Sequence, residues 1–354
     1  MKVNAMKTLA GYRVLELGNS EAAGVCTLLL SDFGAEVIRL KKAEEKESGN
    51  RTCDRGKQIL ELDPNEPEEI QKFENLVQRA DIVIDGRTGR QRKEGGSYES
   101  LRKLRCGMIY TAITPYGMEG PYSDCEANEN TIQAESGLVS ITGQDKEHVV
   151  RAGGDVAGFA GGLNACIATL IALLERERRG QISDGKVCDV SMMDSILYGL
   201  ENQFSIYMAS DIIPEARGNR YALSAPVGNF SCKDGKQIMI SVATQAQWKT
   251  FCEAIGHPEW GIQPEYETVA RRLENCDQLD EDVAKVFLQY TREEVIRRLQ
   301  SRKCVYGCIN DFSAVVNHPQ VKERKLFVRE GDREDGPMVP ADPLLVDGIR
   351  PTHL

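Results

Sequence analysis

The chain has 354 residues, enough for one large or two ordinary domains with a substantial buried core. Its formal charge of −10 argues against a general affinity for nucleic acid or an anionic membrane, so an anionic ligand would need a local basic pocket. Hydrophobic residues make up 41% of the chain and charged residues 28%, which is typical of a soluble globular protein. No apolar run approaches the length of a membrane span, and residues 1–13 lack a signal-peptide core, which favours a cytoplasmic protein.

Cysteine and histidine usage narrows the chemistry. The eleven cysteines are odd in number and scattered, and the closest two, Cys304 and Cys308, have three residues between them. This spacing predicts buried reduced thiols rather than a disulfide framework or a zinc site. The four histidines have no Ser, Cys or second His at a useful spacing, and no HExxH motif occurs. We therefore expect no metal site and disfavour Ser-His-Asp or Cys-His catalysis.

The first 115 residues alternate strand-like and helix-like stretches. The β-rich runs are 12–17, 36–40, 59–62, 81–85 and 108–113, and residues 66–79 have a helical pattern. Strands that alternate with helices predict a parallel sheet in an α/β domain. The glycines after the first strand do not have the GxGxxG spacing, so a dinucleotide site is not predicted.

Helical periodicity follows from residue 155 to Gly180, where a glycine stops the helix, and a second helix is predicted from 191 to 210. Beyond Arg217 the pattern changes to a hairpin, 226–232 and 237–242, around the turn Lys233-Asp234-Gly235. Helices are then predicted at 245–255, 281–289 and 291–300, the last with a Thr291 and Glu294 capping box. The stretch 222–315 is the candidate second domain.

The strongest local signal is Asp155, a single carboxylate in a segment with five glycines among residues 153–162. Glycines allow close backbone approach and unusual backbone angles, and the carboxylate stands just ahead of a long apolar helix. Aspartate is a favoured helix N-cap, which is the simpler interpretation. The partial positive charge of a helix start also favours an ionised carboxylate, as a nucleophile requires. Both roles remain open at this point.

The sequence resembles the class III CoA-transferases, the CaiB/BaiF group that includes formyl-CoA transferase and carnitine CoA-transferase. The similar segments run in order from about residue 9 to 330. Those that carry the resemblance are Gly34–Arg39, Ala80–Ile84, Gln133–Leu138, Thr142-Gly143, Gly154-Asp155, Gly158, Arg179–Gln181, Val187–Asp194, Arg217–Asn219, Gln247-Trp248 and His318–Val321.

The resemblance implies a CoA-transferase that moves CoA from an acyl-CoA donor to a carboxylic acid acceptor. Asp155 would be the nucleophile, passing through an aspartyl anhydride and an aspartyl-CoA thioester, and Glu129 would orient it. The backbone N–H groups of Ala22, Ala23 and Gly24 would lie where the family has its oxyanion donors. We expect no permanently bound cofactor, because the CoA thioester is itself a substrate.

Three cations are candidates for contacts with the CoA phosphates. Arg39 and Arg87 each stand beside a strand end, and Lys57 is a weaker candidate of the same kind. An equally simple interpretation of the arginines is that they are surface side chains.

By resemblance, the fold class is α/β: a Rossmann-like parallel-sheet large domain plus a smaller α+β domain, in an interlocked homodimer. We predict a large CoA-binding and catalytic domain at 1–215, a small domain at 222–315, and a return to the large domain at 316–354. Acyl-CoA and carboxylic acids are the predicted small-molecule partners, with no nucleic acid and no membrane.

Two alternatives stay open. An α-methylacyl-CoA racemase or another acyl-CoA isomerase would need a histidine where Asn128 stands, because proton exchange requires a base on each face of the substrate. The nearest histidine along the chain is His148. A non-catalytic CoA-binding relative is the second alternative, which the presence of Asp155 in its glycine setting disfavours. No counterpart of the glycine-rich loop of formyl-CoA transferase occurs at 220–229, which argues against that substrate.

Overall fold

The structure is a computed structural model that describes residues 7–41, 51–63, 66–94, 96–180, 185–329 and 336–351. Contacts divide the chain into two compact units. Unit 1 comprises the described residues up to Ser140, then Val150–Pro214 and those from Pro319 onward, and unit 2 comprises Ile141–Val149 and Glu215–His318. Residues 141–149, which the sequence prediction assigned to the large domain, therefore group with unit 2.

The strands and helices follow in chain order. The strands are β1 Arg13–Leu17, β2 Glu36–Lys41, β3 Gln58–Glu61, β4 Ile82–Asp85, β5 Ile109–Thr114, β6 Lys186–Ser191, β7 Val227–Ser231, β8 Gln237–Ser241, β9 Tyr306–Cys308, β10 Phe327–Arg329 and β11 Met338–Pro340. The helices are α1 Glu21–Asp32, α2 Ile70–Arg79, α3 Gly89–Glu94, α4 Tyr98–Leu104, α5 Glu129–Glu135, α6 Val156–Arg179, α7 Met192–Gly199, α8 Glu201–Ser210, α9 Gln245–Ile255, α10 Val269–Glu274, α11 Cys276–Phe287, α12 Arg292–Ser301, α13 Phe312–Val316 and α14 Pro319–Glu323.

Unit 1 is built on a parallel sheet. Among the described residues, six strands pair in the order β3-β2-β1-β4-β5-β6, all parallel. Every residue of β4 and β5 is buried, as expected where helices cover both faces of a sheet. The predicted α/β sheet is confirmed. Its strand order reverses between β1 and β4, and in such sheets ligands bind at the carboxyl ends of the strands beside this reversal.

The two faces of the sheet carry separate apolar clusters. Val14, Ile82 and Ile109 pack with α1 and α6 on one face, whereas Leu15, Val83 and Tyr110 pack with α2 and α4 on the other. Neighbouring strand residues alternate between the two clusters because side chains in a strand point alternately to opposite faces. The helix that follows β1 and the long α6 therefore lie on the same side of the sheet.

Helix α6 corrects one expectation. It is long and apolar enough to cross a membrane by length and composition, although no apolar run of that length was expected from the sequence. Half of its most apolar 18-residue segment is buried inside the protein, and the core helix of a soluble protein meets the same criteria of length and composition. Ile167, Ile171 and Leu174 on its other face are each more than half exposed.

The helix predicted at 191–210 is two helices in the structure, α7 and α8. They meet at Leu200, whose N–H donates to both Ile196 O and Leu197 O. A glycine inside a helix is unfavourable by about 1 kcal/mol relative to alanine, and Gly199 stands at this break.

Unit 2 contains the predicted hairpin. β7, β8 and β9 form an antiparallel sheet among the described residues, with Gly235 in the turn at φ 74°. Its core is centred on Trp248, which is fully buried, stacks on Phe251 and lies edge-on to Tyr266. Both halves of the predicted Thr291 and Glu294 capping box are present at the start of α12.

Within unit 1, a buried arginine connects the last strand, β11, to helix α1. Arg55 Nη1 donates to the carbonyl of Pro340 in β11 at 2.6 Å, and its Nη2 bonds Asp32 Oδ2 at the end of α1 at 2.5 Å. Burial raises the pKa of Asp32 to about 6, although the Arg55 charge opposes the shift. This contact joins β11 to α1 across a long stretch of sequence.

Candidate active site

The start of α6 carries Asp155 on the surface of unit 1. Asp155 is exposed and its carbonyl accepts the first helical bond, from Phe159 N–H, at 2.9 Å. Gly154 before it has φ 126°, a backbone conformation that side chains rarely adopt, so the turn requires glycine at this position. Within the described part of the chain, the Asp155 side chain makes no hydrogen bond that caps α6. Asp155 therefore occupies the N-cap position of α6, as the simpler interpretation predicted, but its side chain does not supply the cap.

Glu129 caps α6 in its place. Its Oε1 accepts the Ala157 N–H at 2.9 Å and its Oε2 accepts the Gly158 N–H at 2.8 Å. Amides in the first turn of a helix have no intrahelical acceptor, and a carboxylate there also interacts favourably with the helix dipole. Glu129 begins α5, so a neighbouring helix satisfies the amides that an N-cap aspartate would otherwise satisfy. Asp155 is left with an exposed carboxylate at a helix start.

The first turn of α1 lies against the same end of α6. A Cβ added to Gly158 would stand 3.6 Å from Glu129 Oε2 and 3.7 Å from Glu21 Cγ. A Cβ added to Gly162 would stand only 2.6 Å from the carbonyl oxygen of Ala22, which no real side chain tolerates. The glycines of α6 thus let two helix N-termini meet next to Asp155.

The predicted oxyanion donors divide in this arrangement. Gly24 N–H donates to Ser20 O at 2.9 Å inside the helix, so it is not available to a ligand and this prediction is corrected. Ala22 and Ala23 occupy the first turn, where amides have no intrahelical acceptor. Both alanines are almost completely buried, so access to their amides is restricted to the helix start.

Two of the predicted CoA-binding cations lie beneath α1 and are paired there. Lys57 Nζ, fully buried, bonds Glu16 Oε2 at 2.9 Å and Gly24 O at 3.1 Å. Arg39 pairs with Asp54 and donates to Asn19 Oδ1 at 2.6 Å. Glu16 also accepts the hydroxyl of Thr27 at 2.6 Å. These charges are neutralised inside the protein, so the arrangement does not support the predicted phosphate contacts.

Arg87 is also paired. Its Nε and Nη2 bond the two carboxylate oxygens of Asp85 at 2.9 and 2.7 Å, and the Tyr110 hydroxyl donates to the same carboxylate. Burial opposes the charge of Arg87, but the adjacent Asp85 outweighs this effect and the pKa of the guanidinium is raised. The pKa of the Tyr110 hydroxyl is raised as well. Burial is the largest cause, and the negative charge of Asp85 is the next. The structure makes Arg87 a buried structural cation at the end of β4.

Gln133 begins one of the segments that resemble the family, and the sequence alone indicates no role for it. It is fully buried on α5, one turn after Glu129, and its Nε2 donates to Glu129 Oε1 at 2.6 Å and to Gly154 O at 3.3 Å. Its Oε1 accepts the Ala152 N–H at 2.9 Å. The spacing of four residues from Glu129 was the available signal, because such residues share a helix face.

The chemistry available at this site is that of an exposed carboxylate between two helix N-termini. A carboxylate can act as a nucleophile, and helix-start amides favour negative charge that develops nearby. Within the described ranges, no group of three or more His, Cys, Asp or Glu side chains could hold a metal ion. All eleven cysteines are free.

Comparison with known proteins identifies the group to which these features belong. A family model described as CoA-transferase family III matches residues 9–350. This chain belongs to CoA-transferase family III. It is accordingly an enzyme of the class III CoA-transferases, whose substrates are CoA thioesters.

Relatives and a solved structure agree with that assignment. The succinate–glutarate CoA-transferase of Agrobacterium fabrum is 28% identical, covering 95% of this chain and 88% of its own length. The acetyl-CoA:oxalate CoA-transferase of Acetobacter aceti is 26% identical, covering 97% and 90%. A crystal structure of a CaiB/BaiF family protein from Brucella suis has a TM-score of 0.85 at 26% identity, covering 97% of this chain and 93% of that one. The mixed α/β fold of this family III chain matches that of the solved CaiB/BaiF protein.

Proposed function

We propose that the protein transfers CoA from an acyl-CoA donor to a carboxylic acid acceptor, with Asp155 as the nucleophile. The observation that carries this proposal is that Glu129 caps α6, so that the Asp155 carboxylate is exposed at a helix start and not used as a cap. Carboxylates need no general base to become nucleophilic at neutral pH. Two relatives named above are CoA-transferases, and Gly154-Asp155 and Gly158 are among the segments through which the sequence resembles that family.

The proposed reaction consists of four acyl transfers. An Asp155 oxygen attacks the thioester carbonyl, the C–S bond breaks, and CoA leaves as a thiolate while an aspartyl anhydride forms. The thiolate attacks the aspartyl carbonyl, releasing the donor acid and leaving an aspartyl-CoA thioester. An acceptor carboxylate attacks this thioester and displaces the thiolate, giving a second anhydride. The thiolate then attacks the acceptor carbonyl, which frees Asp155.

Two backbone amides support the oxyanions that appear in each step of this proposal. Ala22 and Ala23 lie in the first turn of α1, and that turn contacts α6 at Gly161 and Gly162. Donors placed where charge develops stabilise a transition state more than they stabilise the substrate. Glu129 fixes the orientation of the turn that carries the nucleophile.

A racemase is less compatible with the site. Asn128, at the position where that reaction would require a histidine, is the N-cap of α5: its Oδ1 accepts the N–H groups of Asn130 and Thr131 at 3.0 and 3.2 Å. An amide committed to a cap cannot exchange a proton with a substrate α-carbon.

The decisive experiment traps the covalent intermediate. The protein is incubated with a panel of acyl-CoAs and hydroxylamine, and mass spectrometry locates the modified residue, which we expect to be Asp155. Asp155→Asn should form no adduct, whereas Asp211→Asn, an exposed change at the end of α8, should behave as the wild type. Absence of an adduct together with full activity in Asp155→Asn would exclude the mechanism. Solvent deuterium at the α-carbon without movement of CoA would indicate a racemase.

We further propose a cytoplasmic homodimer in which the chains interlock. Support comes from the family resemblance and from large apolar side chains exposed on unit 1, because monomeric proteins rarely expose such a surface. These side chains are Ile167, Ile171, Leu174, Tyr198, Met208, Ile212 and Ile213. Sedimentation at micromolar concentration should give twice the chain mass, and a monomeric mass would contradict the proposal.

A further inference from the structure

We propose that Gln133 is the positioning residue of the active site, and that its side-chain amide holds both Glu129 and the turn before Asp155. The inference rests on the proposed function, because it assigns Gln133 a role in presenting the Asp155 nucleophile. Three segments of the chain meet at this one amide: the start of α5, the residue before the glycine turn, and the carbonyl that immediately precedes Asp155.

The hydrogen bonds use both donors of the primary amide and one acceptor position of its carbonyl oxygen. Nε2 has two N–H donors, and they reach Glu129 Oε1 at 2.6 Å and Gly154 O at 3.3 Å. Oε1 accepts the Ala152 N–H at 2.9 Å. The side chain is fully buried, where an unmade hydrogen bond is costly, so each of the three partners depends on it.

Glutamine is the side chain that fits all three partners. A carboxylate at the same position has no donor for Glu129 Oε1 or for Gly154 O, and it would place two negative charges at hydrogen-bond distance. A methionine has the shape but no polar atoms able to bond them. Glutamine alone links the carboxylate that caps α6 to the peptide that fixes the Asp155 backbone.

The surrounding charges define what a carboxylate at position 133 would encounter. Glu129 lies on α5, Glu21 on α1 approaches Gly158, and Asp155 immediately precedes α6. Arg151 donates to Ala152 O, and α7, which packs on α5, carries the exposed Asp194 and Tyr198. Carboxylates thus predominate, and an added one must share a proton with Glu129 to form a hydrogen bond.

The test compares Gln133→Glu and Gln133→Met with the wild type. At about pH 8 we expect kcat for CoA transfer, and the rate of hydroxylamine-trapped Asp155 adduct, to fall about 100-fold in both variants, with KM changed about twofold or less. Lowering the pH to about 5 should restore Gln133→Glu about tenfold, because a shared proton replaces one lost donor. Gln133→Met should not recover. The control Gln71→Glu, on the exposed face of α2, adds the same charge and should behave as the wild type.

A second readout does not depend on activity. Amide hydrogen exchange across residues 152–159 should be about tenfold faster in Gln133→Met, since the acceptors of Ala152, Ala157 and Gly158 are lost or loosened. Exchange equal to the wild type, or a kcat loss in Gln133→Glu that does not depend on pH, would overturn the positioning role. The two proposals can also be told apart. If the wild type forms no Asp155 adduct but hydrogen exchange is still faster in Gln133→Met, the proposed function is rejected, whereas the role of Gln133 in holding this turn is supported.

Discussion

Glu129 Oε2 accepts the backbone N–H of Gly158 at 2.8 Å, so the helix that begins after Asp155 is capped by a side chain from another helix. The sequence leaves two roles open for the aspartate, helix cap and nucleophile. This bond gives the capping role to Glu129. One acidic residue satisfies the helix start, and the other is exposed beside it.

Removing this cap should disable the site more than it destabilises the protein. In Glu129→Ala the amides of Ala157 and Gly158 lose their acceptor, and Asp155 is the carboxylate next to them in the chain. We expect Asp155 to turn back onto its own helix, lowering kcat about 100-fold, with a loss of stability of about 1 kcal/mol. Steady-state kinetics and thermal unfolding measure both. Glu126→Ala, an exposed change ahead of α5, is the control, and an unchanged kcat in Glu129→Ala would refute the explanation.

The close approach of α1 and α6 should not tolerate a methyl group. A Cβ at Gly162 would lie 2.6 Å from Ala22 O and 2.7 Å from Val25 Cβ, so Gly162→Ala must push the helices apart. Overpacking of this kind costs about 1–3 kcal/mol. Gly199→Ala meets nothing within 4 Å at the end of α7 and should be neutral or stabilising. Chemical denaturation followed by far-ultraviolet circular dichroism compares them, and equal stability of the two variants would contradict the packing argument.

The buried pair of Lys57 and Glu16 gives a test of the cation assignments. Lys57→Met leaves the Glu16 carboxylate buried without its ammonium, at a cost of about 3–5 kcal/mol. The double variant Glu16→Gln/Lys57→Met removes the uncompensated charge and should recover most of that loss. Its KM for an acyl-CoA should stay within about twofold of the wild type. A KM raised more than about tenfold in this variant would instead indicate that Lys57 contacts the CoA phosphates.

The stability of unit 1 should depend on pH through Asp32. Burial raises the folded-state pKa of this group to about 6 from its usual value of 3.8, so between these values the folded protein retains a proton that the unfolded chain has lost. The stability that Asp32 contributes is therefore complete below about pH 4 and is lost as the pH rises through 6, by about 3 kcal/mol.

Hydrogen exchange of the α1 amides in the wild type and in Asp32→Asn isolates this dependence. The stability of the wild type minus that of the variant should fall between pH 4 and pH 7 by about that amount. A difference that rises with pH would mean that the ion pair with Arg55 dominates over burial.

The sequence predicts much of the fold, because the central strands are short apolar runs separated by helical periodicity. The five predicted strands correspond to β1 to β5, and the hairpin corresponds to β7 and β8. β6 was missed because exposed and buried residues mix along it, and at the edge of the sheet it pairs with β5. β9, β10 and β11 have three residues each, too few for a periodicity to be recognised.

The family resemblance indicates Asp155 and Glu129 as candidate site residues, and their catalytic roles stay a prediction. The capping bond between α5 and α6 depends on tertiary packing that local patterns do not contain. The burial and pairing of the three candidate cations could not be predicted for a related reason. Arg39, Lys57 and Arg87 are visible as charges in the sequence, whereas their burial depends on how Glu16, Asp54 and Asp85 fold around them.

The aromatic core of unit 2 has a practical consequence for spectroscopy. Trp248 and Trp260 are the two tryptophans of the chain, and both belong to that unit. Indole emission therefore originates in unit 2, and unit 1 has no tryptophan that would report a loss of order around Asp155. A tryptophan introduced in place of Tyr12, which packs near α6, would give unit 1 an optical signal of its own.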